Sequence, residues 1–246
     1  MTEHATTLCY RVSPYRFTDR PGEVRRFLEA IGLQPVITRD RFAVLRGTAG
    51  MVAVHPLDTA DTTDRVMTSF CLETDDARAA AEALTLDGLP ARWWDESFGR
   101  RAAVAGPGGE ISLNEPMTDS YGYTAHPSDE PSQTFVVDVV AVFFTAHLDH
   151  WVGFFQQLGF TTTVTAPGWH ELCAGADSGV IGLHASETTP SPHDRCNFSF
   201  KTSEALEAFV VRMRGLGYQV TEEPEAQAPH VTVTDPDGKP IEIHQR

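Results

Sequence analysis

Apolar positions along the chain recur with two periods, two over short runs and three to four over longer ones. Leu8–Val12 reads as a strand, and Gly22–Ile31 after it as an amphipathic helix opened by Pro21. Val24, Phe27, Leu28 and Ile31 fall at helical spacing, and Gly32 ends the run. Three short strands are predicted next, at Leu33–Thr38, Phe42–Arg46 and Met51–His55. This β-α-β-β-β order restarts at Met67–Glu73, with an Ala-rich helix over Asp75–Leu86 and strands at Ala91–Trp94, Arg101–Ala105 and Glu110–Asn114. A third copy runs from Phe135–Thr145 through a helix at His147–Leu158 to Phe160–Thr165, Trp169–Cys173 and Val180–His184. A fourth has Cys196–Lys201, a helix over Glu204–Leu216, Gln219–Thr221 and a closing hairpin. In that hairpin Asp235-Pro-Asp-Gly238 joins Val231–Thr234 to Ile241–His244. Pro236 presets φ and Gly238 supplies a positive one, so the turn has a stated cause. Alternation puts Glu242 and His244 on one face and Ile241 and Ile243, facing a helix, on the other.

Between the second and third copies the sequence is rich in turn formers and has no period, so it reads as a linker. The predicted organisation is α+β: four βαβββ modules in two tandem domains, 1–117 and 134–246, with a linker at 118–133. The halves align residue by residue. Phe27-Leu-Glu-Ala-Ile-Gly32 matches Phe154-Phe-Gln-Gln-Leu-Gly159, and Phe42 matches Trp169. Met51-Val-Ala-Val-His55 matches Val180-Ile-Gly-Leu-His184, and Phe70-Cys-Leu-Glu-Thr74 matches Phe198-Ser-Phe-Lys-Thr202. Agreement at an interval of 127 to 130 residues marks an internal duplication.

The helix end FFQQLGF and the final DPDGKPIEIHQ resemble the vicinal oxygen chelate superfamily, which includes glyoxalases, bleomycin-resistance proteins and extradiol dioxygenases. The resemblance covers nearly the whole chain. It implies curved mixed sheets, paired modules and a cleft in each glyoxalase-like domain. In metal-dependent members, the first and last strands of each module supply up to four His or Glu ligands. Carried onto this sequence, those positions fall at Arg11 or Val12, Ala53, Met67 or Thr68, and Ser112 in the first half. In the second they fall at Val139 or Val140, Gly182, Cys196 or Asn197, and Glu242. Only Glu242 matches the family's pattern cleanly. The expectation is therefore that no cofactor is needed, with a divalent metal held by Glu242, His184 and His244 as the alternative.

Without a metal, the resemblance implies metal-independent binding of a small aromatic or cationic molecule, as in antibiotic-sequestering resistance proteins. Aromatic faces supply contact area and hold cations. The candidate ligand-binding residues are Glu242, His244, His184, His55, Trp169, Trp94, Phe98 and Ser112. Of Trp93 and Trp94 only one can face a cleft. The alternative is a vicinal-oxygen-chelate enzyme (a lyase, isomerase or dioxygenase-like protein) with Glu242 as its catalytic carboxylate. His126, His170, His193 and His230 read as surface histidines, and Trp151 as packing its helix onto the sheet.

The net charge of −15 argues against a nucleic-acid partner; such an excess keeps a protein soluble and can also concentrate a cationic ligand. No run approaches eighteen apolar residues and no secretory segment opens the chain, so the expected setting is cytoplasmic, away from membranes. Cys9, Cys71, Cys173 and Cys196 are scattered and read as buried free thiols. With all four modules in one chain, a monomer or a homodimer satisfies the pattern.

Overall fold

The structure is a computed structural model and describes residues 9–57, 66–97, 99–117, 122–126, 136–188, 196–223 and 229–246. In the second half, β12 (Val137–Thr145), α3 (Leu148–Gln157), β13 (Thr161–Ala166), β14 (Trp169–Cys173) and β15 (Val180–Ala185) form one module. The next comprises β16 (Cys196–Thr202), α4 (Leu206–Gly215), β17 (Val220–Glu223), β18 (His230–Thr234) and β19 (Pro240–Gln245). Their first strands pair antiparallel, giving one eight-stranded sheet of order β13-β14-β15-β12-β16-β19-β18-β17.

The first half has the same order, broken in the middle. Its modules are β1 (Tyr10–Val12), β2 (Tyr15–Thr18), α1 (Pro21–Ile31), β3 (Gln34–Arg39), β4 (Phe42–Arg46) and β5 (Met51–Pro56), then β6 (Met67–Ser69), β7 (Cys71–Thr74), α2 (Ala77–Leu86), β8 (Ala91–Glu96), β9 (Gly99–Gly106) and β10 (Gly109–Asn114). Ser13 and Pro14 interrupt the first strand, since proline has no N–H to give a ladder. β1 then pairs with β7 while β2 pairs with β5 and β6, leaving a five- and a six-stranded sheet. β2 is additional to the strands expected from the sequence. So is β11 (Thr124–Ala125), which lies in the expected linker and adds to the edge of the six-stranded sheet beside β3.

The duplication is expressed as an approximate two-fold between the halves. Val12 N–H donates to Ser178 O at 2.7 Å, and its mate Val139 N–H donates to Ala49 O at 2.8 Å. Gly50 and Gly179 meet back to back, with φ of 75° and 73°. A Cβ on Gly50 would lie 2.9 Å from Val139 Cβ, so the close approach requires glycine.

The symmetry also fails at one pair of core mates. Phe143 meets Phe70 edge-on at 4.6 Å between ring centroids, within a cluster with Trp151 and Phe155. Its mate, 127 residues earlier, is Arg16, whose guanidinium lies 4.6 Å from the Phe198 ring. Arg16 is 1% exposed and reaches Asp235 at 3.0 Å and Asp237 at 3.5 Å, in the Asp235–Gly238 turn. Thr18 Oγ1 donates to Asp237 at 2.6 Å. The terminal hairpin is thus fastened to the first half by a buried ion pair. Ile241 and Ile243 are fully buried in the core, and Glu242 on the opposite face is exposed. α4 packs across β17 and β18.

Candidate functional site

The two halves have been used differently. In the first, a cavity of about 520 Å³ fills the trough between the two sheets, within the range of small-molecule sites. Aromatic rings line one wall in sequence. Tyr15 and Phe17 on β2 lie 6.3 Å apart, Phe17 is 5.2 Å from His55, His55 is 5.8 Å from Phe42, and Phe42 is 6.0 Å from Tyr123. Alternation on β2 places Tyr15 and Phe17 on the trough side, and Arg16 on the other. The floor holds Ser69, Cys71, Arg101, Ser112 and Asn114. At the mouth the β3–β4 turn carries Arg39, Asp40 and Arg41, with Asp40 at a φ of 42°.

The hydrogen bonds of the cavity define its chemistry. His55 Nδ1–H donates to Pro56 O at 2.7 Å, which leaves Nε2 as the basic nitrogen of the neutral ring. Asn114 Nδ2 donates to Tyr15 Oη at 3.1 Å, and burial raises the Tyr15 phenol above its ordinary range. Burial pushes the Cys71 thiol up to about 12, with Arg101 opposing, so it is no thiolate nucleophile at neutral pH. Arg101 Nη2 donates to Ser112 Oγ at 2.6 Å.

The trough of the second half is filled by its own side chains. Val140, Val142 and Val180 form a buried cluster apart from the main core, with Phe144, Trp169 and Cys173 packed against it. The Trp169 indole lies across Gly182. A methyl group there would overlap Cη2 and come within 2.9 Å of Cζ2. Behind the ring Lys201 Nζ meets Glu171 at 2.5 Å. Further along, Glu242 accepts from His244 Nε2 at 3.2 Å, and the His230 ring lies tilted beside His244 at 5.1 Å. Glu242 is held below the usual carboxylate range chiefly by the His244 hydrogen bond, with burial opposing.

Of the residues singled out from sequence, His55 and Ser112 line the cavity of the first half. Trp94 stands behind it, its ring 5.3 Å from the Arg101 guanidinium, while Trp93 packs against Arg78 of α2 on the opposite face. Glu242, His244, His184 and Trp169 belong to the other half. His184 donates from Nδ1 to Ala185 O, as its mate His55 does to Pro56 O. Phe98 and His193 lie outside the described residues. Three expectations are corrected. The first-strand positions on the trough are Tyr15, Phe17 and Ser69, because the strand breaks at Pro14; Val12 is buried between the halves and Arg11 pairs with Glu73 at 3.0 Å. His126, His170 and His230 are half-buried rather than exposed: His126 Nε2 bonds Thr38 Oγ1 at 2.8 Å and His170 Nδ1 bonds Thr165 Oγ1 at 3.3 Å. Cys9 is exposed, not buried. Two cavity residues carry no motif that marks them in the sequence, Arg101 and Tyr123, the latter in the stretch read as linker.

Residues 137–243 match the family model of the Glyoxalase/Bleomycin resistance protein/Dioxygenase superfamily. This part of the chain belongs to that superfamily. The chain as a whole has the vicinal oxygen chelate fold, shared with solved structures of low identity. A crystal structure of catechol 2,3-dioxygenase is 14% identical over 95% of this chain and 86% of that one, with a TM-score of 0.63. Homoprotocatechuate 2,3-dioxygenase from Arthrobacter globiformis is 15% identical over 97% and 79%, with a TM-score of 0.61. The 2,3-dioxygenase LapB from Pseudomonas sp. KL28 is 15% identical over 96% and 91%, also with a TM-score of 0.61. No curated protein matches the sequence. No helix among the described residues is long and apolar enough to cross a membrane.

A vicinal oxygen chelate metal centre needs several donors converging from four strands. Here the strands facing Glu242 present Val140 and Val142, Gly182 under Trp169, and Asn197, whose Oδ1 accepts from Arg16 at 3.2 Å. In the first half the corresponding side chains are Tyr15, Ala53, Ser69 and Ser112. Among the described residues no three His, Cys, Asp or Glu side chains are grouped to hold an ion. This donor set does not fit the metal centre of the fold.

Proposed function

We propose that the chain binds one small planar aromatic molecule in the cleft of its first half, without a metal ion in that cleft. The observation that carries this reading is the contrast between the halves: one trough is open and walled by aromatic rings, the other is filled by Trp169. Stacked and edge-on ring contacts suit a flat apolar ligand.

Once the ring is bound, sequestration of an antibiotic is the weaker account of its fate. The likeness in fold to 2,3-dioxygenases, one catechol 2,3-dioxygenase among them, supports turnover of an aromatic substrate over drug capture. Turnover in the open cleft would draw on His55 Nε2 as a base, and turnover in the other half on Glu242.

The test is fluorescence titration with N-phenyl-1-naphthylamine, a neutral aromatic probe, on protein dialysed against a chelator. One site per chain is expected. Phe42→Ala should weaken it roughly tenfold or more, and Trp169→Phe should leave it unchanged. Binding that ignores Phe42→Ala, or that needs added metal, removes the proposal. Chromatography of catechol incubated in air with the chelator-treated protein decides whether a bound ring is consumed, and His55→Asn against Glu242→Gln decides in which cleft.

A further inference from the structure

We infer that the ligand of this cleft is an anion, an aromatic carboxylate or phenolate, whose charged group is received by Arg101. The inference rests on the reading that the first-half cleft is the binding site, and adds the sign of charge and the residue that recognises it. Two arginines with restricted access to solvent make the case by contrast. Arg16 is met by two carboxylates, at 3.0 and 3.5 Å. Arg101 has none within ion-pair distance among the described residues. Its Nη2 donates to a neutral hydroxyl, that of Ser112, and its plane lies 5.3 Å from the Trp94 ring. Its Nε is buried and has no hydrogen-bond partner among the described residues.

The carboxylates of the surrounding strands are committed elsewhere. Glu73 pairs with Arg11 at 3.0 Å, Glu110 with Arg92 at 2.9 Å and Glu115 with Arg100 at 3.7 Å. A guanidinium held away from water without a counter-charge is costly, and an anionic ligand group offsets that cost with paired N–H···O bonds. The mouth agrees with the floor. Three arginines (Arg39, Arg41 and Arg101) and one acid, Asp40, line the cavity of a chain whose net charge is −15. Such a local field draws anions into the trough against the overall charge of the protein.

Isothermal titration with three probes of one shape, 2-naphthoate, 2-naphthamide and 2-naphthylmethylammonium, separates the charge term from the ring. The naphthoate is expected to bind roughly ten- to a hundredfold more tightly than the amide, and the ammonium most weakly. Arg101→Met should bring naphthoate and amide together while leaving the amide within about twofold of its original affinity. If all three bind the unaltered protein equally, the cleft is a receptor for rings and the anion inference falls alone. If none binds, the inference and the proposed function fall together. The comparison in the unaltered protein stands even if the Arg101→Met variant does not fold.

Discussion

The substitution Gly182→Ala probes the filling of the second trough with the smallest available change. Carbon atoms rest at about 3.5–4.0 Å, whereas a Cβ at Gly182 would lie 2.9 Å from Trp169 Cζ2 and 3.2 Å from Cζ3. With Cη2 nearer still, the indole must retreat by more than about 1 Å or swing out of the trough, and such overpacking costs about 1–3 kcal/mol. For a chain of this size, the melting temperature should fall by roughly 2–4 °C per kcal/mol. Gly182 does not have a positive φ, so alanine suits its backbone. In a Trp169→Phe background the outer indole atoms are gone, and Gly182→Ala should then be neutral or stabilise by up to about 1 kcal/mol through the unfolded chain. The sign of one substitution reverses with the identity of its neighbour. Thermal and urea melts of the four proteins in this double-mutant cycle measure the coupling directly. An equal effect of Gly182→Ala in both backgrounds would refute the placement of Trp169 over Gly182, and with it the claim that this trough is closed.

Charged groups and thiols give further outcomes. Arg16→Met leaves Asp235 and Asp237 buried without their cation and should cost about 3–5 kcal/mol, read from urea melts; a loss near zero contradicts the fastening of the hairpin to the first half. Burial holds the Cys71 and Cys196 thiols at about 12, so Ellman's reagent at pH 8 should label Cys9 and Cys173 at most in the native protein and all four thiols in guanidinium. Glu242 has a depressed folded pKa. Its contribution to stability is therefore present above the unfolded value of about 4.3 and lost as pH falls through the folded one. Glu242→Gln should make the acid limb of the stability curve shallower, and an unchanged limb removes the His244 contact from the account.

The four modules were legible because each helix and strand carries its own period, and the duplication because mates such as Phe42 and Trp169 keep their spacing. β2 was not, since four residues after a proline are too few to show alternation against their surroundings, although Tyr15-Arg-Phe-Thr18 does alternate. Tyr123 was hidden in a segment with no period, because one two-stranded edge contact needs none. The charge of the cleft contradicted the sum over the chain: net charge adds the whole surface, and one trough can carry the opposite sign. Which half stays open depends on whether an aromatic on the fourth strand can collapse against the fifth. At Gly182 there is no Cβ to prevent it; at the mate Ala53 there is. That difference is one methyl group, and its consequence appears only in the packed structure.

The most direct test of which cleft works is photolabelling of chelator-treated protein with 4-benzoylbenzoate, an aromatic carboxylate, with the labelled peptides identified by mass spectrometry. Labels on the segments bearing Tyr15, Phe42, Met117 and Tyr123, suppressed by excess 2-naphthoate, are the predicted result. Labels concentrated at Phe144, Trp169, His184 and Glu242 would place the working site in the second half and contradict the account.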